Sequence, residues 1–301
     1  MRQHLKPIIL TALLLNFYIH GFAQNGFSNL PDSARFVTGD IDNFWKAFDH
    51  FKKDTSQNTF GKEYIDIGSE GVKGFTPYRI RSADNLYKMV KKRQADYEKV
   101  RANTLRIKEK EKQCRSTFYA LKYLYPQAKF PPVYFVIGAY NSGGTSGDQG
   151  LFIGAEMQNN IDGLPGIVAH ELIHFQQNLT SENPTLLQQS IIEGSADFIG
   201  ELISGTRGDD AANNYGNANT ARLCKEFISL MNGTERNDWL YGTSKKDDRP
   251  NDLGYWIGYQ ICAHYYAKAT DKKQAIYEIL NIKDYPDFLK KSGYLDKYLN
   301  Y

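Results

Sequence analysis

Apolar residues recur at helical spacing along most of this chain, and strand-like runs occur in only two short places. Asp40 to Lys53 puts Ile41, Phe44, Trp45, Phe48 and Phe51 on one face, which predicts a helix behind an acidic cap. His50 lies on that helix without a second ligand near it in sequence, so it is expected to be an ordinary structural histidine. Residues 24–36 predict a loose arm, and Gly61 to Pro77, with several glycines, a loop holding a short helical piece. Ser82 to Tyr125 has no Pro or Gly and is rich in Lys and Glu, which predicts one long helix with a solvated face. Pro126 and Pro131-Pro132 end it. Val133 to Gly138 (VYFVIG) and Leu151 to Ala155 (LFIGA) predict strands, and the intervening NSGGTSGDQG of residues 141–150 predicts a loop.

The second half is helical by pattern. Gly163-Leu164-Pro165-Gly166 breaks the chain before IVAHELIHFQQ (167–177), and Pro165 suits a first helical turn. Asn183-Pro184 separates this from a second helix over Thr185 to Leu202. Gly205 to Asn219 is small and polar and predicts a surface loop. Arg222 to Met231, Gly254 to Ala269 and Pro286 to Tyr301 predict further helices. The class is therefore α+β, a small sheet followed by a mainly helical lobe.

Within the first of these later helices lies His170-Glu171-Leu172-Ile173-His174. Side chains four apart share a helix face, so both imidazoles can reach one metal ion. Glu171 is then placed to activate water rather than to bind the metal. Catalytic zinc takes three protein ligands and leaves one position open. Glu193, on the next helix, is the expected third ligand, and Asp197, one turn on, suits a supporting role toward a ligand histidine.

HELIH, an eighteen-residue gap and EGSAD together resemble the gluzincin branch of the zincin metallopeptidases. HELIHFQQ with EGSADFIG is similar, more closely, to bacterial predicted zinc-dependent proteases related to gliding-motility lipoproteins, over roughly residues 132–266. The resemblance implies a zincin-like fold with the sheet packed on the HExxH helix. It implies Zn²⁺ on His170, His174 and Glu193, Glu171 as general base, and Asp197 holding His170. It also implies that the strand Leu151–Ala155 forms the rim of the cleft and pairs with an extended peptide. An oxyanion donor is still needed. Tyr255, in a Tyr-x-x-Gly element resembling that of the alanyl-type aminopeptidases, is the candidate, with Tyr259 and His264 as competitors. The aminopeptidases' Gly-Ala-Met-Glu-Asn element should lie far upstream of the motif, whereas Gly154-Ala155-Glu156-Met157 is differently ordered and far closer; endopeptidase activity is preferred.

Composition narrows the setting. Arg2, Lys6, the apolar stretch from Ile8 to Ile19, and Gly21-Phe22-Ala23 predict a signal peptide over residues 1–23, hence export to the periplasm or medium. The apolar stretch is short for a membrane span. Residues 24–126 then form a helical N-terminal region and 127–301 the catalytic domain. The formal net charge of +3 falls to +1 once Arg2 and Lys6 are removed, which points to neither nucleic acid nor an anionic membrane. Cys114, Cys224 and Cys262 allow at most one disulfide. The sequence thus reads as an exported zinc metallopeptidase acting on peptides or proteins. Two alternatives are an inactive zincin-fold envelope binding protein and a zinc hydrolase acting on a non-protein amide bond.

Overall fold

The structure is a computed structural model describing residues 26–178, 183–208, 210–241 and 249–299; the expected signal peptide lies outside them. Elements follow in the order β1 (Phe36–Val37), α1 (Gly39–Lys53), α2 (Glu70–Phe75), α3 (Ala83–Lys92), α4 (Gln94–Leu105), α5 (Glu111–Leu124), β2 (Val133–Val136), β3 (Gly144–Gly147) and β4 (Gly150–Gly154). After them come α6 (Leu164–Gln176), α7 (Leu186–Ser204), α8 (Asp210–Ala218), α9 (Thr220–Leu230), α10 (Leu253–Lys268), α11 (Lys272–Leu280) and α12 (Tyr285–Ser292). The fold is α+β, a four-stranded mixed sheet among helices.

Strand order is β1-β2-β4-β3, with β1, β2 and β4 parallel and β3 antiparallel to β4. β2 and β4 are buried at every position, which explains their unbroken apolar runs (VYFV and GLFIG). Two expectations fail here. The strand at Leu151–Ala155 is internal to the sheet, so it cannot form the rim of the cleft. The glycine-rich segment read as a loop supplies the edge strand β3 instead. β3 pairs through its backbone, Gly144 with Ile153 and Ser146 with Leu151, and strand propensity, which measures side-chain packing, does not register such a partner.

The helix predicted over Ser82–Tyr125 is three helices. It breaks at Arg93 and again through the 3₁₀ turn Ile107–Lys110, with neither Pro nor Gly at either break. A straight helix of that span would run roughly 65 Å. Broken, it folds back so that Val90, Tyr97 and Phe118 reach one core. α1 adds Phe44 and Phe48, which pack with Tyr64 and Tyr97. The Tyr64 hydroxyl donates to Ile137 O and accepts from Ile137 N, both at 2.8 Å, and Tyr97 donates to Gly138 O at 2.8 Å. These bonds fix the chain where it leaves β2 toward β3.

The glycine-rich stretch over residues 61–77 holds two π-helical turns, Gly61–Ile65 and Thr76–Ile80, with α2 between them. The loop expected over Gly205–Asn219 is largely α8. Gly216 on it lies against Trp256, whose indole N–H donates to Asn217 Oδ1 at 3.0 Å, so packing on α10 outweighs weak helix propensity. α7, opened by a capping box between Thr185 and Gln188, packs between α6 and α10. All three cysteines are free and buried. The buried apolar core is continuous from Ala34 to Leu295.

Candidate metal centre

α6 and α7 bring His170, His174 and Glu193 together, with their ligand atoms all within 4.8 Å of one another. His174 Nε2 lies 2.9 Å from His170 Nε2 and 3.1 Å from Glu193 Oε2, and His170 Nε2 lies 3.6 Å from the same oxygen. Each group is also tied from behind. His170 Nδ1 meets Asp197 Oδ1 at 2.8 Å, and His174 Nδ1 meets Gln177 Oε1 at 2.8 Å. The Gln177 amide is oriented by its own Nε2, which donates to Ile192 O and Ser195 Oγ. Glu193 Oε1 accepts from Gln189 Nε2 at 3.0 Å and from the Tyr241 hydroxyl at 3.2 Å.

These outer partners decide where the protons sit. Asp197 and Gln177 present acceptors, so each imidazole carries its hydrogen on Nδ1 and turns the Nε2 lone pair inward. Two Nε2 lone pairs and a carboxylate oxygen therefore converge with no donor between them. Buried acceptors left facing one another are costly, and a cation at their centre relieves that cost. Zinc–ligand bonds of about 2.0–2.2 Å set tetrahedral ligand separations of about 3.3–3.6 Å. The observed separations of 2.9, 3.1 and 3.6 Å run from somewhat below that range to its upper end, and the donor set fits a metal ion.

The local field agrees. Burial lowers the pKa of His170, but Asp197 and Glu193 outweigh it and raise the imidazole well above its ordinary value. His174 is likewise raised, with Glu193 overcoming burial. Burial acts upward on Glu193, yet His174 and His170 hold it well below the usual carboxylate range. The field at the centre thus favours positive charge.

Glu171 is buried, and burial raises its carboxyl above the ordinary carboxylate value. β3 passes directly over it: a Cβ on Gly144 would lie 2.6 Å from Glu171 Oε1, so only glycine lets the edge strand come this close. The three groups of the centre, Glu171, β3 and Tyr255 line one cleft of about 1070 Å³. Tyr255 stacks over His170, ring centroids 6.2 Å apart and 18° from parallel. Burial raises its phenol pKa, so the hydroxyl stays a donor. The two competitors point elsewhere. Tyr259 packs edge-on against Phe198 with the Arg207 guanidinium over its ring, and His264 Nδ1 bonds Ser292 O beside Tyr294.

Residues 96–285 match the model of the family described as Predicted Zn-dependent protease (DUF2268). The chain belongs to this family. The family match takes in the whole centre and Tyr255, and residues 31–158 also match Gliding motility protein GldB. The first match begins within α4, and the two overlap over β2, β3 and β4, with β1 in the second alone. No curated protein and no solved structure matches the chain.

Four further residues line the cleft, two of them at helical spacing from the motif and two without any such link. Gln189 stands four before Glu193, a helical spacing that predicts contact, and Gln177 stands three after His174. Tyr241 lies in a turn at φ 61°, a left-handed conformation unusual for a bulky residue. Arg79 comes from the π-helical turn Thr76–Ile80, far from the motif in sequence.

Proposed function

We propose that this chain is an exported zinc metallopeptidase of the gluzincin type, with His170, His174 and Glu193 as ligands and Glu171 as general base. The observation that carries this reading is the convergence of two imidazole lone pairs and one carboxylate oxygen, each fixed from behind by a second residue. Zinc bound there supplies Lewis acidity toward water and toward a carbonyl oxygen.

The protein's own residues do the rest. Glu171 takes a proton from the attacking water and delivers it to the leaving amine, and its raised pKa suits a group that must hold that proton between the two steps. Asp197 and Gln177 keep both imidazoles in the ligating tautomer. Tyr255 donates to the oxyanion that develops on the attacked carbonyl. β3 is the edge strand of the sheet, and an extended peptide can add along its outer side as a further strand. That edge favours a peptide backbone over other amides. The export reading rests on residues 1–23 and the family match on the catalytic region.

The test is metal analysis of the purified mature chain together with digestion of a peptide library, with and without a chelator. About one zinc per chain and chelator-sensitive cleavage are expected. A protein that neither holds nor takes up zinc overturns the reading.

A further inference from the structure

Arg79 is a cation of the cleft whose guanidinium has no partner among the described residues. It lines the cleft together with Glu171 and is only partly exposed. Among the described residues its guanidinium makes no hydrogen bond and no ion pair, while its main-chain carbonyl accepts from Asn141 Nδ2 at 2.9 Å. Arg207, the other arginine lining the cleft among the described residues, is engaged: it bonds Asn213 Oδ1 at 3.2 Å, lies 4.0 Å from Glu201, and covers the ring of Tyr259. Arg79 is also close enough to Glu171 for its charge to be felt at that carboxylate.

The backbone that carries Arg79 is fixed on both sides. Thr76 Oγ1 bonds Val72 O at 2.6 Å, and Arg81 N closes the turn onto Thr76 O. Arg81 itself sits at φ 69°, a conformation held only where the surroundings enforce it. A long side chain on so fixed a base loses less freedom on binding than one on a mobile loop.

Direction along β3 gives this cation a meaning. The strand runs from Gly144, over Glu171, to Gly147, with Asn141 and hence Arg79 before its start and the exposed Asp148 beyond its end. A peptide adding antiparallel to β3 runs the opposite way. Its N-terminal side then lies toward Asp148, and its C-terminal side passes Glu171 and leads to Arg79. Negative charge on the C-terminal side of the scissile bond meets a cation, and positive charge on the N-terminal side meets an anion.

We infer that Arg79 is a carboxylate-binding residue of the cleft, and that the preferred substrates are peptides bearing a carboxylate on the C-terminal side of the cleaved bond. This rests on the peptidase reading above. The carboxylate has two sources, the peptide's own C-terminus or an Asp or Glu side chain, and both present the planar pair of oxygens that a guanidinium grips through two parallel bonds.

Two measurements on the mature chain test it. Binding is read by calorimetry with zinc present in the Glu171→Gln background, which suppresses turnover, using acetylated alanine-leucine peptides of four to eight residues. One arm compares free-acid with amidated C-termini, and the other compares Glu with Gln at each position of amidated peptides. Carboxylate peptides of at least one arm are expected to bind about 10–100-fold tighter than their neutral partners. Arg79→Gln should remove that difference while leaving neutral peptides and the thermal midpoint unchanged, and Arg79→Lys should restore part of it. Equal binding of charged and neutral peptides, or a difference that survives Arg79→Gln, overturns the inference. Cleavage by the chain with Glu171 intact separates the two readings. Cleavage without carboxylate preference sinks the role of Arg79 and keeps the peptidase; carboxylate-dependent binding with no peptide cleaved does the reverse.

Discussion

Gly194 on α7 and Gly258 on α10 bring their two helices into backbone contact. A Cβ on Gly194 would lie 2.1 Å from Tyr259 N, and one on Gly258 would lie 1.7 Å from Ser190 O. No side chain fits between them, so main-chain contact sets how closely α10, with Tyr255, approaches α7, with Glu193. Gly258→Ala must push α10 outward and carry Tyr255 with it. The expected result is a loss of about 1–3 kcal/mol in urea denaturation, with reduced turnover in the folded fraction. Gly39→Ala, with open space around the added methyl, should cost far less.

Glu171 and Asp197 should separate chemistry from metal binding. Glu171→Gln removes the base and no ligand, so zinc content should hold while kcat falls by at least about 10²-fold. Asp197→Asn keeps the shape but gives His170 Nδ1 a weaker, uncharged partner, and zinc affinity or activity should drop about 10–100-fold. Zinc affinity measured by competition with a chelator checks both; loss of zinc from Glu171→Gln would contradict the assigned roles.

Two tyrosines reach the centre, and conservative substitutions tell their roles apart. Tyr255→Phe keeps the ring over His170 and deletes the donor, so kcat should fall about 10²–10³-fold with KM nearly unchanged. Tyr241→Phe removes a hydrogen bond to Glu193 Oε1 and should act chiefly on zinc affinity. If Tyr241→Phe lowers kcat and Tyr255→Phe leaves it intact, the oxyanion role belongs to Tyr241.

A buried carboxyl outside the centre predicts a pH effect on stability. Glu156 is fully buried; Tyr140 N donates to its Oε1 at 3.2 Å, and its Oε2 has no hydrogen-bond partner among the described residues. Burial pushes its pKa up to about 7 from an ordinary 4.5. The folded state therefore holds a proton that the unfolded chain releases. That contribution is complete below about pH 4.5 and is lost as pH rises through 7, on the order of 3 kcal/mol in all. Glu156→Gln, neutral at every pH, should be more stable than the parent at pH 8 and similar to it near pH 4.5. Thermal midpoints at the two pH values check this, and equal differences at both would refute it.

The motif helix and its partner were legible because their chemistry is local. His170 and His174 are four apart on a helix with a Pro start, and Glu193 lies on the next clear helical run. Asp197 followed from one more turn. The pattern could not show β3, because glycines leave no side-chain periodicity and the strand exists only through pairing with β4. Nor could it show the breaks at Arg93 and Ile107, where a core reached from both sides bends a sequence that would tolerate a straight helix. Arg79 and Tyr241 are placed by turns whose geometry is set by tertiary contacts, and no spacing rule connects them to Glu171 or Glu193.

β3 also bears on how long such an enzyme lasts. Its open side is an edge that backbone can pair with, and backbone is what every partly unfolded chain exposes, including a second copy of this protein. Under the peptidase reading, each molecule that opens becomes a competing substrate for those still folded. Self-digestion would then rise with concentration and with the opened fraction, so the lifetime of the active protein is tied to the stability of its own fold.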